Sequence, residues 1–311
     1  MTERAVGVVG KLPGWADFVR LGARGATFEQ LLRWLVGGAE LAAASRPEPL
    51  ATLSEGSVQA FVYRAGGSLL CGALAPSCDS VGRRVPVAAA VEVEADEALW
   101  RHPELLPIVF EDAWAETSEL IAELQRSPRD QLGERGWTLK LPLGSREAEE
   151  TYQSWTREIA VVDFLELVFG DDPERAPRVL AFVEEATAPY RGVEAPETPL
   201  SLRLPLGESG GAAVCFWLDL VRRLARWRRT VPSFFWSHDG SSGVLMLHLG
   251  LPPESALAEL WQPSGACDDI CDLVPRGAPA WQNDRSGAWA AALGQPGRSL
   301  AALLDAADFG V

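Results

Sequence analysis

The chain has 311 residues, with 28 Lys or Arg against 43 Asp or Glu, for a formal net charge of −15. An apolar fraction of 47% with 23% charged residues is ordinary globular usage, enough to bury a core in one large domain or two ordinary ones and contrary to wholesale disorder. So acidic a chain repels phosphate backbones and anionic lipid, which excludes nucleic acid and membrane surfaces as expected partners.

Residues 4–10 (RAVGVVG) read as a short buried strand closed by Gly10 and Pro13. No apolar run of a signal peptide's length precedes that turn. Phe28, Leu31, Leu32, Leu35 and Leu41 then recur at helical spacing over 27–44, with Glu29 in the first turn. Three apolar runs of strand length follow at 58–65, 68–76 and 85–93, each bounded by Gly, Pro or Ser, and they imply a sheet of three or four strands. From Glu97 to Arg126 the spacing is helical, with Pro103 and Pro107 confining regularity to the later part. A second helical region covers about 146–186 and is interrupted at Gly170-Asp171-Asp172-Pro173.

The Pro- and Glu-rich stretch 186–199 reads as a loop or insertion. Residues 200–206 alternate with period two, and 214–227 place Trp217, Leu220, Val221, Leu224 and Trp227 on one helical face. A hairpin is expected from 232–236 and 243–250, then within 251–261 a helix beginning after Pro252 and Pro253. The tail from 263 is richer in Gly, Pro and Ala, with one short helix expected at 298–308. The domain expectation is one α/β unit over 1–262, with two sub-lobes meeting near 130–145, and an extension over 263–311. No stretch reaches the roughly 18 uninterrupted apolar residues of a membrane span. Five cysteines, an odd and sparse number, indicate a reduced, cytoplasmic protein.

Several constellations bear on chemistry. Gly7-Val-Val-Gly10-Lys11 follows a strand, but a phosphate-binding loop needs four residues between its glycines and a Ser or Thr after the Lys, and here Leu12 stands there. Cys267-Asp-Asp-Ile-Cys271 places two thiols one helical turn apart, short of the four ligands of a closed zinc site. His238 and Asp239 could join Ser241 in a hydrolase-like set, yet no Gly-x-Ser-x-Gly elbow presents a nucleophile, and Asp-Gly is a preferred turn pair. No catalytic set, metal site or cofactor is therefore expected. Arg222, Arg223, Arg226, Arg228 and Arg229 form a basic cluster in an acidic chain, read either as a solvated helix face or as a docking surface for carboxylate or phosphate.

Two segments carry a family resemblance. Residues 10–22 (GKLPGWADFVRLG) are similar to Gly-Lys-x-Pro-x-x-Gly-Asp-Phe-Val, and 75–87 (APSCDSVGRRVPV) to Pro-Ser-x-Asp-x-x-Gly-Arg-x-x-Pro, with a helix bearing Trp34 between them. Together they resemble the TagF (ImpM) family of type VI secretion accessory proteins. The matching positions are Gly10, Lys11, Pro13, Asp17, Phe18 and Val19 in the first motif, and Pro76, Ser77, Asp79, Gly82, Arg83 and Pro86 in the second. Ala16 departs from the pattern, which has Gly there; were that position at positive φ, Ala would be strained by about 1 kcal/mol.

The residue chemistry of the motifs fits a structural role as well as a partner-contacting one: Gly and Pro shape turns, and Asp17 or Asp79 could pair with Lys11 or Arg83. The resemblance implies a layered α/β mixed-sheet sandwich with helices on both faces. It also implies a non-enzymatic cytoplasmic regulator, a repressor acting after translation on the secretion machine, with a forkhead-associated scaffold protein among its expected partners. The alternatives are a small-molecule or nucleotide-binding enzyme using the Gly10-Lys11 turn, and a structural subunit of the secretion assembly.

Overall fold

The N-terminal apolar run becomes strand β1 (Thr2–Gly10), and a short return strand, β2 (Val19–Leu21), pairs antiparallel with its end. The protein is described by a computed structural model that places residues 2–45, 58–94, 97–128, 136–141, 145–170, 172, 174–193, 199–237, 243–263, 267–274 and 284–309. Helix α1 (Ala26–Ser45) follows. The three expected strands form as β3 (Gln59–Ala65), β4 (Ser68–Ala75) and β5 (Val87–Val93), an antiparallel meander whose last strand pairs with β1.

The prolines divide the next helical stretch as their missing N–H groups require. The pieces are α2 (Glu97–Arg101), a 3-10 turn at Pro103–Leu105, α3 (Leu106–Val109) and α4 (Glu111–Arg126). Strand β6 (Thr138–Leu141) pairs with the start of β1. Helices α5 (Arg146–Glu158), α6 (Val161–Phe169) and α7 (Arg175–Thr187) follow, the second ended by Gly170 at φ 65°. Strand β7 (Leu200–Gly207), helix α8 (Gly211–Leu224) and the hairpin β8 (Ser233–Ser237) with β9 (Gly243–Leu249) form close to where the periodicity puts them. The helix expected to begin after Pro252 and Pro253 is a single turn, α9 (Ala256–Glu259).

Among the described residues, ten strands join in one sheet, ordered β10-β7-β9-β8-β3-β4-β5-β1-β2 with β6 beside β1. Strand β10 (Cys271–Asp272) supplies the parallel pair, against β7; the other pairings are antiparallel. The chain's two halves meet edge to edge where β3 pairs with β8, Phe61 opposite Phe235. The segment near 130–145 that was expected to divide sub-lobes lies partly outside the described residues.

The sheet is covered on both faces, and β1, β4 and β5 accordingly read as largely apolar runs, whereas β7 keeps the period-two alternation of its sequence. Val87, Ala89 and Val91 of β5 face one core, built with α4 to α8, while Ala88 and Ala90 face the other, beneath α1. Gly38 lets α1 approach α9, since a Cβ there would lie 2.6 Å from the Leu257 Cβ. Trp34 of α1 reaches the same segment, its indole N–H donating to the Pro253 carbonyl at 3.0 Å.

The residues expected as a C-terminal extension are built into this packing. Besides β10, they form α10 (Asp284–Leu293) and α11 (Leu300–Phe309). Trp289 is fully buried and its indole N–H donates to Glu184 of α7 at 3.0 Å, while Leu300, Leu303 and Leu304 join the larger core. The Gly/Pro/Ala composition signals loops, and it hides the few large apolar residues that tie those loops down. No helix among the described residues is long and apolar enough to cross a membrane.

One buried histidine ties stability to pH. His248 of β9 is fully buried, its Nδ1 2.8 Å from the Ser201 hydroxyl across the β7–β9 pair, and burial pushes its imidazole down to about 3. The unfolded chain takes up this proton near pH 6.5 and the folded chain does not. Stability is therefore full above about pH 6.5 and falls as pH drops toward 3, by up to about 1.4 kcal/mol per pH unit. Urea unfolding of His248→Gln should show a flatter pH dependence than the parent between pH 6 and 5; equal slopes would contradict this burial. His102 has the opposite sign, its imidazole raised by the bond to Glu104, and cancels in the comparison.

Candidate functional site

The first motif is the β1–β2 turn. Gly10, at φ 125°, must be glycine: a Cβ there would lie 2.2 Å from the Pro86 carbonyl oxygen. This close approach seats the end of β1 on the segment entering β5 and turns Lys11 inward, where it is 3% exposed. Leu12 is fully buried beside it, Trp15 N–H closes the turn on the Leu12 carbonyl at 3.0 Å, and Val19 brings the chain back opposite Gly10. Pro13 and Asp17 are exposed, and Asp17 makes no ion pair or hydrogen bond among the described residues.

The second motif joins β4 to β5. Pro76 is buried, with its carbonyl accepting from Gln125 Nε2 at 2.7 Å, and Pro86 is buried at the other end. Ser77 is buried with no partner for its hydroxyl. Asp79 organises the turn between them. Its Oδ1 accepts the backbone N–H groups of Val81 at 3.1 Å and Arg83 at 2.8 Å, and its carbonyl accepts from Gly82, which takes φ 86°. Such side-chain-to-backbone bonds are why Asp is favoured at turns.

The two motifs are one structure. Asp79 Oδ2 accepts from Lys11 Nζ at 2.6 Å and from Arg83 Nε at 2.7 Å, the Arg83 guanidinium also donates to the Ala16 carbonyl, and Ser80 N–H donates to the Trp15 carbonyl at 2.9 Å. Burial alone would raise the Asp79 carboxyl, but the Lys11 and Arg83 bonds with the two amides outweigh it and hold the group well below the usual carboxylate range. Lys11 also lies 4.3 Å from the centre of the Phe18 ring. Ala16, the departure from the family pattern, does not have positive φ, so the substitution carries no backbone strain.

The outer side of the junction is different. Phe18 is 41% exposed and lies over the Lys11 ammonium, and Val81, in the Asp79 turn two residues before the exposed Arg83 side chain, is 67% exposed. Lys11 and Arg83 share the single carboxylate of Asp79, while the exposed Asp17 carboxylate stands unpaired among the described residues in the first turn. Val81 was not singled out by sequence, because an apolar residue inside a Ser/Gly turn reads as filler until the Asp79 turn is seen to push it outward.

The five arginines of 222–229 do not form one surface. Arg222 Nε donates to Glu104 at 3.0 Å, both Arg222 and Arg223 bond to the buried Asp219, and Arg223 reaches Asp305 at 3.1 Å and Asp308 at 2.7 Å on α11. The Tyr152 hydroxyl completes the set by donating to Asp219 at 3.1 Å. Two members of the expected docking surface are thus internal, holding α8 to the 3-10 turn, α5 and α11. Asp219 lies three and four residues before them, the spacing of helical ion pairs, and that was the signal in the sequence. Arg226, Arg228 and Arg229 are exposed, with Arg226 at φ 53° ending the helix.

Of the remaining candidates, Cys267 and Cys271 are free and partly buried, and Asp269 accepts from the Ser255 hydroxyl at 2.6 Å. Among the described residues no group of three His, Cys, Asp or Glu could hold a metal. His238, Asp239 and Ser241 lie outside the described residues.

Comparisons with known proteins fit this geometry. No curated protein matches the chain. The PA0076 protein of Pseudomonas aeruginosa PAO1, known from a crystal structure, is 16% identical over 84% of this chain and 96% of its own, with a TM-score of 0.39, a likeness too distant to carry an argument. Residues 7–133 match the family model described as the TagF N-terminal domain, type VI secretion system-associated, and that span contains both motifs of the Lys11–Asp79 junction. The match covers less than half of the chain, and over those residues the chain is similar to a TagF N-terminal domain, type VI secretion system-associated.

Proposed function

We propose that this protein is a non-enzymatic, cytoplasmic accessory protein that represses a type VI secretion system after translation, by binding a component of the apparatus through the outer face of the Lys11–Asp79 junction. The observation that carries the reading is that Phe18 of the first turn and Val81 of the second are both exposed, on a junction tied together by the buried Lys11–Asp79 ion pair and by Arg83. Exposed apolar side chains on a rigid scaffold beside a guanidinium are the usual makings of an interface anchor. The exposed Arg83 guanidinium favours a carboxylate on the partner, and a forkhead-associated scaffold protein is the component proposed to supply it.

The enzymatic alternative fares worse on the same residues. The Lys11 ammonium is buried against Asp79 at 2.6 Å, and the turn after Gly10 leads into β2 rather than into a helix N-terminus that could receive a phosphate. Affinity capture with the tagged protein from a secreting strain should recover components of the apparatus. Val81→Glu, at a site 67% exposed, should remove most of that recovery while leaving the fold intact. Capture of no apparatus component by the parent protein would overturn the reading.

A further inference from the structure

Away from both motifs, a cavity of about 470 Å³ opens between α3, α4, α5, α8 and β8. Its walls are aromatic. Trp114 and Trp236 meet edge to face with ring centres 4.1 Å apart, and Tyr152 and Trp155 stand 5.8 Å apart and tilted by 37°. The polar atoms of two of these rings are engaged by the protein, Trp114 Nε1 donating to the Phe61 carbonyl and the Tyr152 hydroxyl to Asp219, so the lining these two residues offer is apolar ring. Three of the rings are buried and Trp155 is half-buried.

The charges at this cavity have one sign. None of the lining residues is basic, and Glu111, exposed among them, makes no hydrogen bond or ion pair among the described residues. Cys215 lines it too, with burial pushing its thiol up so that it stays neutral and unreactive. An unpaired carboxylate beside several π faces attracts a cation, and the poorly hydrated ones, quaternary ammonium and guanidinium, lose least on entering an aromatic site. The size suits a small ligand or a single side chain. We infer that the cavity lined by Trp114, Tyr152, Trp155 and Trp236 binds an organic cation, with Glu111 as its counter-charge.

Such a cation could be a free small molecule or an arginine side chain of a partner, and separate probes distinguish them. Choline and N-acetyl-arginine methylamide are titrated into the full-length protein, followed by tryptophan fluorescence and calorimetry, with 3,3-dimethylbutan-1-ol as the neutral counterpart of choline. At least one of the two cations should saturate, and the neutral alcohol should bind about tenfold more weakly than choline or not at all. Glu111→Gln should weaken the cation by about three- to tenfold without changing the alcohol. Saturation by choline points to a small molecule, and saturation by the arginine probe alone points to a partner's side chain. Failure of both cations to saturate, or equal binding of alcohol and choline, would overturn the inference.

Discussion

Asp79→Ala should lower the unfolding free energy by about 3–5 kcal/mol, the range for removing one member of a buried ion pair. Asp79 is 3% exposed and accepts four bonds, from Lys11, from the Arg83 side chain and from the Val81 and Arg83 amides. Its loss strands the Lys11 ammonium inside the fold, with the Phe18 ring as its remaining partner among the described residues. Lys11→Met should be milder, about 1–3 kcal/mol, because Asp79 would keep Arg83 and both amides. The order of the two variants in urea unfolding is the test: Lys11→Met equal to or worse than Asp79→Ala would mean that the lysine, not the aspartate, organises the junction. The pH dependence follows from the same bonds. With the folded carboxyl held below its unfolded value, the contribution of Asp79 is full above about pH 4 and fades as pH falls further.

Asp219→Ala should be comparably damaging, about 3 kcal/mol or more, for a related reason. Asp219 is 1% exposed and gathers Arg222, Arg223 and Tyr152. Without it, two guanidiniums are left in a largely buried site with Glu104, Asp305 and Asp308 as their remaining carboxylates. Arg228→Glu, on the exposed part of the same arginine run, should change stability by no more than about 0.5 kcal/mol. Thermal unfolding of the two variants side by side checks the division; equal effects would mean that the five arginines behave alike after all.

That division marks the limit of reading by sequence. The strands 4–10, 58–65, 68–76 and 85–93 were legible because each is a mostly apolar run of strand length closed by Gly, Pro or Ser, and a sheet covered on both faces needs such runs. The short pieces β2, β6 and β10 carry no such pattern; β10 is two residues, Cys271 and Asp272, fixed by Arg203 across the β7 pair at 2.8 Å. The two motifs were legible as residue types, and pairing of Asp79 with Lys11 or Arg83 was among the options. Sequence could not decide that Asp79 takes both while Asp17 takes neither, since the choice depends on β1 and β5 lying side by side. The arginine cluster stayed between two readings because linear density of charge says nothing of direction. Arg222 and Arg223 turn toward Asp219 on their own helix, and their further partners, Glu104, Asp305 and Asp308, lie far away along the chain.

The claim that the outer face of the junction acts on the secretion machine is tested most directly in a secreting strain. The chromosomal copy is replaced by the Phe18→Ala, Val81→Glu double variant, and secretion is measured beside a strain carrying the parent protein, with circular dichroism of the purified variant to establish its fold. Loss of repression by a folded variant, to the level of a deletion strain, is the expected result. Unchanged repression by a folded variant would contradict the assignment of this face.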